Sequence, residues 1–344
     1  MAIPSSTSFV RFCQKGITAS PSFGRRTQRS FLASLARPKD GLKLSSQARG
    51  NTFNLPSGRM LGYHSSGDPD GVPVLYFHGH PDSGIQVTGH LESTVARSLG
   101  VRWIGLDRPG IGLSSPYPNQ TVLDYPADVQ FLVEHLGLSR YYILGTSGGT
   151  GFTLACAKNL PKDHLAGVGI CAGVGPYETG WDGLTEANQK GLRAWEQYPN
   201  ELEEYFTNEY VPLAQMADAG ALRERVKSDF QSWFSGRDRE SLLQEGALSM
   251  AVDVYRQVYA QGARAHRVGV ELNLRSWGFA LEDIDYPRIK LWYGEKDVNT
   301  SPEMGRYMAS KLPNSRYKEY KGESHFTIWR KEIIEEMLKE LLDR

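Results

Sequence analysis

Gly145-Thr146-Ser147-Gly148-Gly149 is the segment of this 344-residue chain best suited to chemistry. It follows an apolar run ending at Leu144 and opens a helical pattern through Gly151–Ala157. A G-x-S-x-G sequence between strand and helix sets its serine on a sharp, strained turn with the hydroxyl above the sheet. Residues two places either side must be small, or strand and helix could not approach each other. Gly145 and Gly149 meet that demand, so Ser147 is the candidate nucleophile. A glycine-rich helix start can instead cradle phosphate, but the segment has neither a Walker lysine nor a G-x-G-x-x-G pattern.

Three further groups fall at comparable places. His78-Gly79-His80-Pro81 directly follows the apolar run Val74–Phe77. A turn there can offer one backbone N–H to a developing oxyanion, and the residue after the nucleophile offers the other. The expected donors are the amides of His80 and Gly148; the imidazole of His80 is not used. Asp297 follows the apolar run Ile289–Tyr293, and His325 follows a short strand at Arg316–Tyr320. Either could be a plain turn residue. Together, Ser147, Asp297 and His325 stand in the order nucleophile, acid, histidine, each after a strand, an order specific to one hydrolase architecture. His325 would take the Ser147 proton, and Asp297 would fix the imidazole tautomer and stabilise the imidazolium. Glu178, just past the run at 167–171, is a reserve acid.

These residues need a scaffold that delivers several strand ends to one rim. Val74–Phe77, Val101–Leu106, Tyr141–Leu144, Gly167–Cys171 and Ile289–Tyr293 are apolar nearly throughout, as in strands covered on both faces of a parallel sheet. Helical spacing appears over 85–99, 126–136 and about 326–342. Ligands gather outside the carboxyl ends of strands in open α/β sheets. From 176 to 286 the alternation stops: the block reads helical and holds four Trp and seven Tyr. The expected organisation is therefore a first core part (50–175), a helical cap (176–286) inserted between two strands, and a second core part (287–344).

Lys+Arg and Asp+Glu both number 39, so the net charge is zero, which argues against a nucleic-acid binder. The charge is uneven. Residues 1–39 carry seven basic residues, seven serines and no acid. That composition predicts a transit peptide over about 1–40 and a mitochondrial (matrix) address; a disordered basic tail on a cytoplasmic protein is the alternative. No stretch approaches the ~20 apolar residues of a spanning helix. Of three cysteines, Cys156 and Cys171 sit in apolar surroundings and read as buried thiols. No metal-binding motif is present, and no cofactor is expected.

The ordered motifs resemble the α/β-hydrolase superfamily over about residues 50–344, in its cap-bearing, esterase-like branch with an H-G-x-P turn. Asp107-Arg108-Pro109-Gly110-Ile111-Gly112-Leu113-Ser114 is similar to the family's D-x-x-G-x-G-x-S loop. Thr150 departs from the glycine often found there. The resemblance implies a mostly parallel central sheet flanked by helices. It also implies a serine hydrolase cleaving a carboxylic ester of a small or medium-sized apolar substrate through an acyl-enzyme. Acyltransferase, thioesterase and C–C bond hydrolase chemistry share the triad, and slow ligand receptors and serine–histidine lyases share the fold. Epoxide hydrolases and dehalogenases of this fold use Asp where Ser147 stands. Proline-type aminopeptidases usually carry H-G-G-P-G and a Trp beside the nucleophile, where this chain has His78-Gly79-His80-Pro81-Asp82 and Thr146. The aromatic content of 176–286 suggests an apolar or aromatic acyl or alcohol group.

Overall fold

The computed structural model describes residues 49–343, so the expected transit segment lies outside the described residues. Eight strands form one sheet: β1 (Asn51–Asn54), β2 (Met60–Gly67), β3 (Val72–Phe77), β4 (Val101–Leu106), β5 (Tyr141–Thr146), β6 (Leu165–Cys171), β7 (Ile289–Gly294) and β8 (Ser315–Tyr320). Their spatial order is β1-β2-β4-β3-β5-β6-β7-β8. β1 and β2 run antiparallel, and every pairing from β4 through β8 is parallel. Five of the parallel strands, β3 to β7, are the apolar runs legible in the sequence, whereas the parallel edge strand β8 is polar, Ser-Arg-Tyr-Lys-Glu-Tyr. β6 is buried at all seven positions, as a strand with helices on both faces must be. β2 reads Met-Leu-Gly-Tyr-His-Ser-Ser-Gly and β1 Asn-Thr-Phe-Asn; neither has an apolar run, so this edge ribbon was not visible as strands.

Flanking the first half are α1 (His90–Leu99), α2 (Tyr125–His135) and α3 (Thr150–Asn159). The helical stretch expected over 85–99 is divided: a 3-10 turn at Gly84–Thr88 precedes α1. Gly89 marks the break, where a Cβ would lie 2.1 Å from Glu92 Oε2. Seven helices occupy the chain between β6 and β7: α4 (Glu186–Gln197), α5 (Pro199–Glu209), α6 (Val211–Gln215), α7 (Gly220–Trp233), α8 (Gly236–Leu242), α9 (Glu245–Val258) and α10 (Arg264–Asn273). α11 (Pro302–Lys311) and α12 (Lys331–Leu341) complete the second half. α12 buries Ile333, Ile334, Met337, Leu338 and Leu341 on one stripe, the period expected of a helix laid on a sheet. It starts five residues later than expected. Ser324 and Thr327 exchange hydrogen bonds (Ser324 N to Thr327 Oγ1, 2.8 Å; Thr327 N to Ser324 Oγ, 3.2 Å) and hold 324–327 as a turn.

Two apolar layers cover the sheet. Leu75, Phe77, Ile143, Phe152 and Met308 belong to one, and Val74, Trp103, Trp292, Ile334 and Leu338 to the other. Alternate residues along β3 serve opposite layers, the period-two rule of a strand. The helical insertion has its own core, centred on Trp195, Phe206, Tyr210 and Tyr259.

His266 is sealed in that insertion core. Its Nδ1 lies 3.1 Å from Tyr259 Oη, and its ring meets Phe206 and Trp195 edge-on. Burial, and then the Arg108 charge, hold its pKa down at about 3. The unfolded chain takes up this proton near pH 6.5, whereas the folded chain resists it, so the unfolded state binds more protons and stability falls on acidification. Between pH 6.5 and 5 this one group removes about 2 kcal/mol. Urea unfolding at pH 7 and 5 checks it: His266→Gln loses less stability than wild type over that interval.

Candidate active site

β5 delivers Ser147 to the rim. Ser147 adopts φ +47°, a left-handed conformation that non-glycine residues rarely take, so the turn is strained. The flanking glycines are explained by space. A Cβ on Gly145 would sit 1.9 Å from Thr153 Oγ1, and one on Gly149 would sit 2.3 Å from the Phe77 carbonyl oxygen. The first obstacle is a side chain on α3 and the second is the main chain of β3. The steric reason inferred from sequence thus has specific atoms behind it.

The His78–Pro81 turn packs directly on this elbow. A Cβ at Gly79 would lie 2.9 Å from Ser147 Cβ and 3.4 Å from its Oγ. The backbone of the turn therefore lies against the serine, with no room for a side chain at Gly79. The Ser147 carbonyl accepts from Val174 N (3.0 Å) and Thr150 Oγ1 (2.8 Å), which fixes the Ser147–Gly148 peptide. Thr150, the departure noted from the usual glycine, is one of its two anchors.

Asp297 and His325 meet. His325 Nδ1 lies 2.8 Å from Asp297 Oδ2, with Asp297 2% exposed. Asp297 Oδ1 accepts from Asn299 N (2.8 Å) and Thr300 N (2.9 Å). Thr300 Oγ1 sits 2.9 Å from Asp297 Oδ2, 3.0 Å from His325 Nδ1 and 2.8 Å from the Ala172 carbonyl. Ala172 opens the loop whose Val174 N holds Ser147, so the three strand ends share one bonded rim. Glu178 is exposed on a 3-10 turn, and it is Asp297 that bonds the histidine.

The insertion reaches this rim from two sides. From α10, a Cβ on Gly269 would fall 2.2 Å from His80 Cε1, and one on Gly148 would fall 2.1 Å from His80 Cδ2. The His80 ring is thus a plate between the elbow and α10. Asn273 Nδ2 donates to the Gly148 carbonyl at 3.1 Å. From α8, Arg237 donates to the Gly322 carbonyl (3.0 Å) and to Glu323 Oε2 (3.1 Å), and Ser324 Oγ donates to Asp238 Oδ1. Phe234 meets Phe326 edge-on at 4.8 Å. The loop that carries His325 is therefore gripped by the insertion. Gly269→Ala should cost about 1–3 kcal/mol by overpacking against His80 and slow turnover as that ring shifts; thermal unfolding and kcat together check it.

Electrostatics keep the imidazoles of the turn neutral. Burial, then Arg108, push the pKa of both His78 and His80 well below the ordinary value. Asp82 is pushed up to about 6 by burial, while accepting from Ser83 N, Tyr76 Oη and Gly79 N. Cys156 and Cys171 are buried free thiols pushed upward by desolvation, unsuited to nucleophilic work. Among the described residues, no three His, Cys, Asp or Glu side chains are grouped as a metal site, and no helix is long and apolar enough to cross a membrane.

Ser147, His80, Gly148, Asp297 and His325 are the candidates that the sequence motifs name, and no motif gives a role to Arg108, Thr300, Asn273 or the Arg237–Asp238 pair. Arg108 had a usable signal. It stands just past the end of apolar β4, as Asp297 stands past β7. Asn273 had none, since its partner lies 125 residues away.

Residues 72–332 match the alpha/beta hydrolase fold family. The proline iminopeptidase of Neisseria gonorrhoeae is 34% identical over 134 residues, covering 36% of this chain and 40% of that protein. That of Xanthomonas citri is 28% identical over 197 residues, covering 55% and 58%. The chain spans about two-fifths of the length of the Neisseria relatives it matches. Among solved structures, a bromoperoxidase from Bacillus anthracis superposes with TM-score 0.60 at 18% identity, covering 86% of this chain and 100% of that one. The esterase RhEst1 from Rhodococcus sp. ECU1013 superposes with TM-score 0.59 at 17% identity, covering 85% and 97%. At such identities these likenesses speak for the fold. The matched segment takes in β3 to β8 and the insertion between β6 and β7, and the chain belongs to the alpha/beta hydrolase fold family.

Proposed function

We propose that this protein is a serine hydrolase that cleaves a carboxylic ester of a small or medium-sized apolar substrate through an acyl-enzyme. The observation that carries the reading is the 2.8 Å Asp297–His325 bond on the rim that also holds Ser147 at φ +47°. The bond to Asp297 holds the proton on His325 Nδ1 and leaves Nε2 as base. Nε2 takes the Ser147 proton as Oγ attacks the ester carbonyl. The carbonyl electrons move to oxygen, and the resulting oxyanion is held by the amides of His80 and Gly148. As the intermediate collapses, the imidazolium protonates the departing alcohol. Water, deprotonated by the same imidazole, then clears the acyl group from Ser147. The helices from 186 to 273 act as a cap that sets substrate choice. The test is turnover of short p-nitrophenyl esters, dependent on Ser147; no Ser147-dependent turnover of any acyl chain length would overturn the reading.

A second reading is amide cleavage, favoured by the proteins named proline iminopeptidase among the matches. Against it stand Thr146 and His80, at places where that group usually carries Trp and Gly. Proline p-nitroanilide assayed beside p-nitrophenyl butyrate separates the two, and faster anilide cleavage would favour the second. The same triad also serves acyltransferases, thioesterases and C–C hydrolases, and a slow-turnover receptor on this fold would show single-turnover kinetics. We also propose mitochondrial import directed by residues 1–39; a fusion of that segment that isolated mitochondria neither take up nor cleave would overturn it.

A further inference from the structure

Arg108 is the first long side chain past the end of β4, and it is 5% exposed. Its guanidinium lies over the Phe152 ring at 4.9 Å. Among the described residues, no carboxylate lies within ion-pair distance of it. Burial alone would make such a cation costly. Burial draws its pKa down to about 10, so it remains charged at neutral pH. Carbonyl oxygens compensate it at hydrogen-bond distance, and the Asp82 carboxylate favours its charge from farther away. Nη2 donates to the Gly79 carbonyl at 2.6 Å, and Nη1 donates to the Gly148 carbonyl at 3.1 Å.

The Gly79 carbonyl and the His80 N–H are two ends of one peptide. We propose that Arg108 is a positioning residue of the oxyanion hole, which orients and polarises the His80 N–H through the Gly79–His80 peptide. A short, charge-assisted bond draws electron density to the carbonyl oxygen and leaves the opposite N–H a stronger donor. The proton positions agree. Arg108 N can only donate, so His78 Nε2, 3.2 Å away, accepts, and the His78 proton sits on Nδ1. His78 Nδ1 then donates to the same Gly79 carbonyl at 3.1 Å, giving it two donors. The 3.1 Å approach of Arg108 Nη2 to His78 Nδ1 is then two donors flanking one acceptor. His80 Nδ1, 3.1 Å from Nη2, accepts from Arg108, so the neutral His80 ring is also fixed by the guanidinium. The second fork arm and Asn273 secure Gly148, whose own N–H is the other donor.

This inference rests on the proposed acyl-enzyme reading, and the experiment separates the two. Full-length wild type, Arg108→Lys and Arg108→Gln are assayed with p-nitrophenyl butyrate. Each is also titrated with a trifluoromethyl ketone, which forms an oxyanion on serine, and with the matching alcohol, which forms none. Arg108→Gln should lower kcat roughly 100-fold, within the range for loss of an oxyanion donor. Arg108→Lys should lower it roughly 10-fold, because an ammonium cannot span both carbonyls. KM and alcohol binding should stay within about twofold, while ketone binding weakens in step with kcat. If Arg108→Gln does not fold, the Arg108→Lys ratio decides. An unchanged kcat in a folded variant, or equal weakening of ketone and alcohol, would overturn the inference and leave the nucleophile reading standing. A wild type without Ser147-dependent turnover would overturn both.

Discussion

Ser147→Ala lowers kcat for p-nitrophenyl esters by at least about 10⁴-fold, and the variant keeps the wild-type unfolding temperature or exceeds it. Two features of the elbow lead to this expectation. The hydroxyl is the group that would form the covalent bond, and neither cysteine can substitute, since both are buried and far from ionising. The strain at φ +47° is a backbone property that alanine inherits, so the turn is not relieved by the change. The anchors of the turn are also untouched, because they act on the Ser147 carbonyl. Residual rate would come from the oxyanion donors and binding alone. Steady-state kinetics, with a fluorophosphonate to count active serines, check it; a variant that still labels or turns over at wild-type rates removes Ser147 from the mechanism.

Asp297→Asn lowers kcat by about 10⁴-fold with KM little changed. The hydrogen bonds around Asp297 dictate how the amide must lie. Asn299 N and Thr300 N both donate toward Oδ1, so the oxygen of an asparagine is held there. Its NH2 then faces His325 Nδ1, which can only accept from it. The imidazole proton is thereby displaced to Nε2, the nitrogen required as base. The fold should survive, because two main-chain donors keep their acceptor. Kinetics paired with ¹⁵N spectra of the His325 ring check both halves. A variant that retains the Nδ1–H tautomer, or more than about a tenth of wild-type kcat, contradicts the assignment.

The parts of this site legible in the sequence were those fixed by local sterics and strand order. Gly145, Ser147 and Gly149 announce themselves because a strand-to-helix turn has few solutions, and Asp297 and His325 because each follows a strand. The glycine at 89, which splits the helix expected over 85–99, lay in plain view, but its significance depends on Glu92 turning back over it. β1 and β2 were hidden for a different reason. They pair antiparallel at an edge with little apolar sequence, and β2 is recognisable only from where its buried His64 and Leu61 point. Thr300, Asn273 and the Arg237–Asp238 pair act across separations that no local pattern encodes. Arg108 sat inside a recognised motif, yet its contacts with two remote carbonyls exist only in three dimensions.

The grip of α8 on the loop bearing His325, and of α10 on His80, bears on how this scaffold can be re-engineered. Grafting the helices of another family member between β6 and β7 would strip Arg237 from Glu323, Asp238 from Ser324 and Asn273 from Gly148. Such a chimera would lose the contacts that register the His325 loop and the Ser147–Gly148 turn against the insertion. The insertion is therefore not an exchangeable module, and transplants would succeed only if those three handholds were carried across with it.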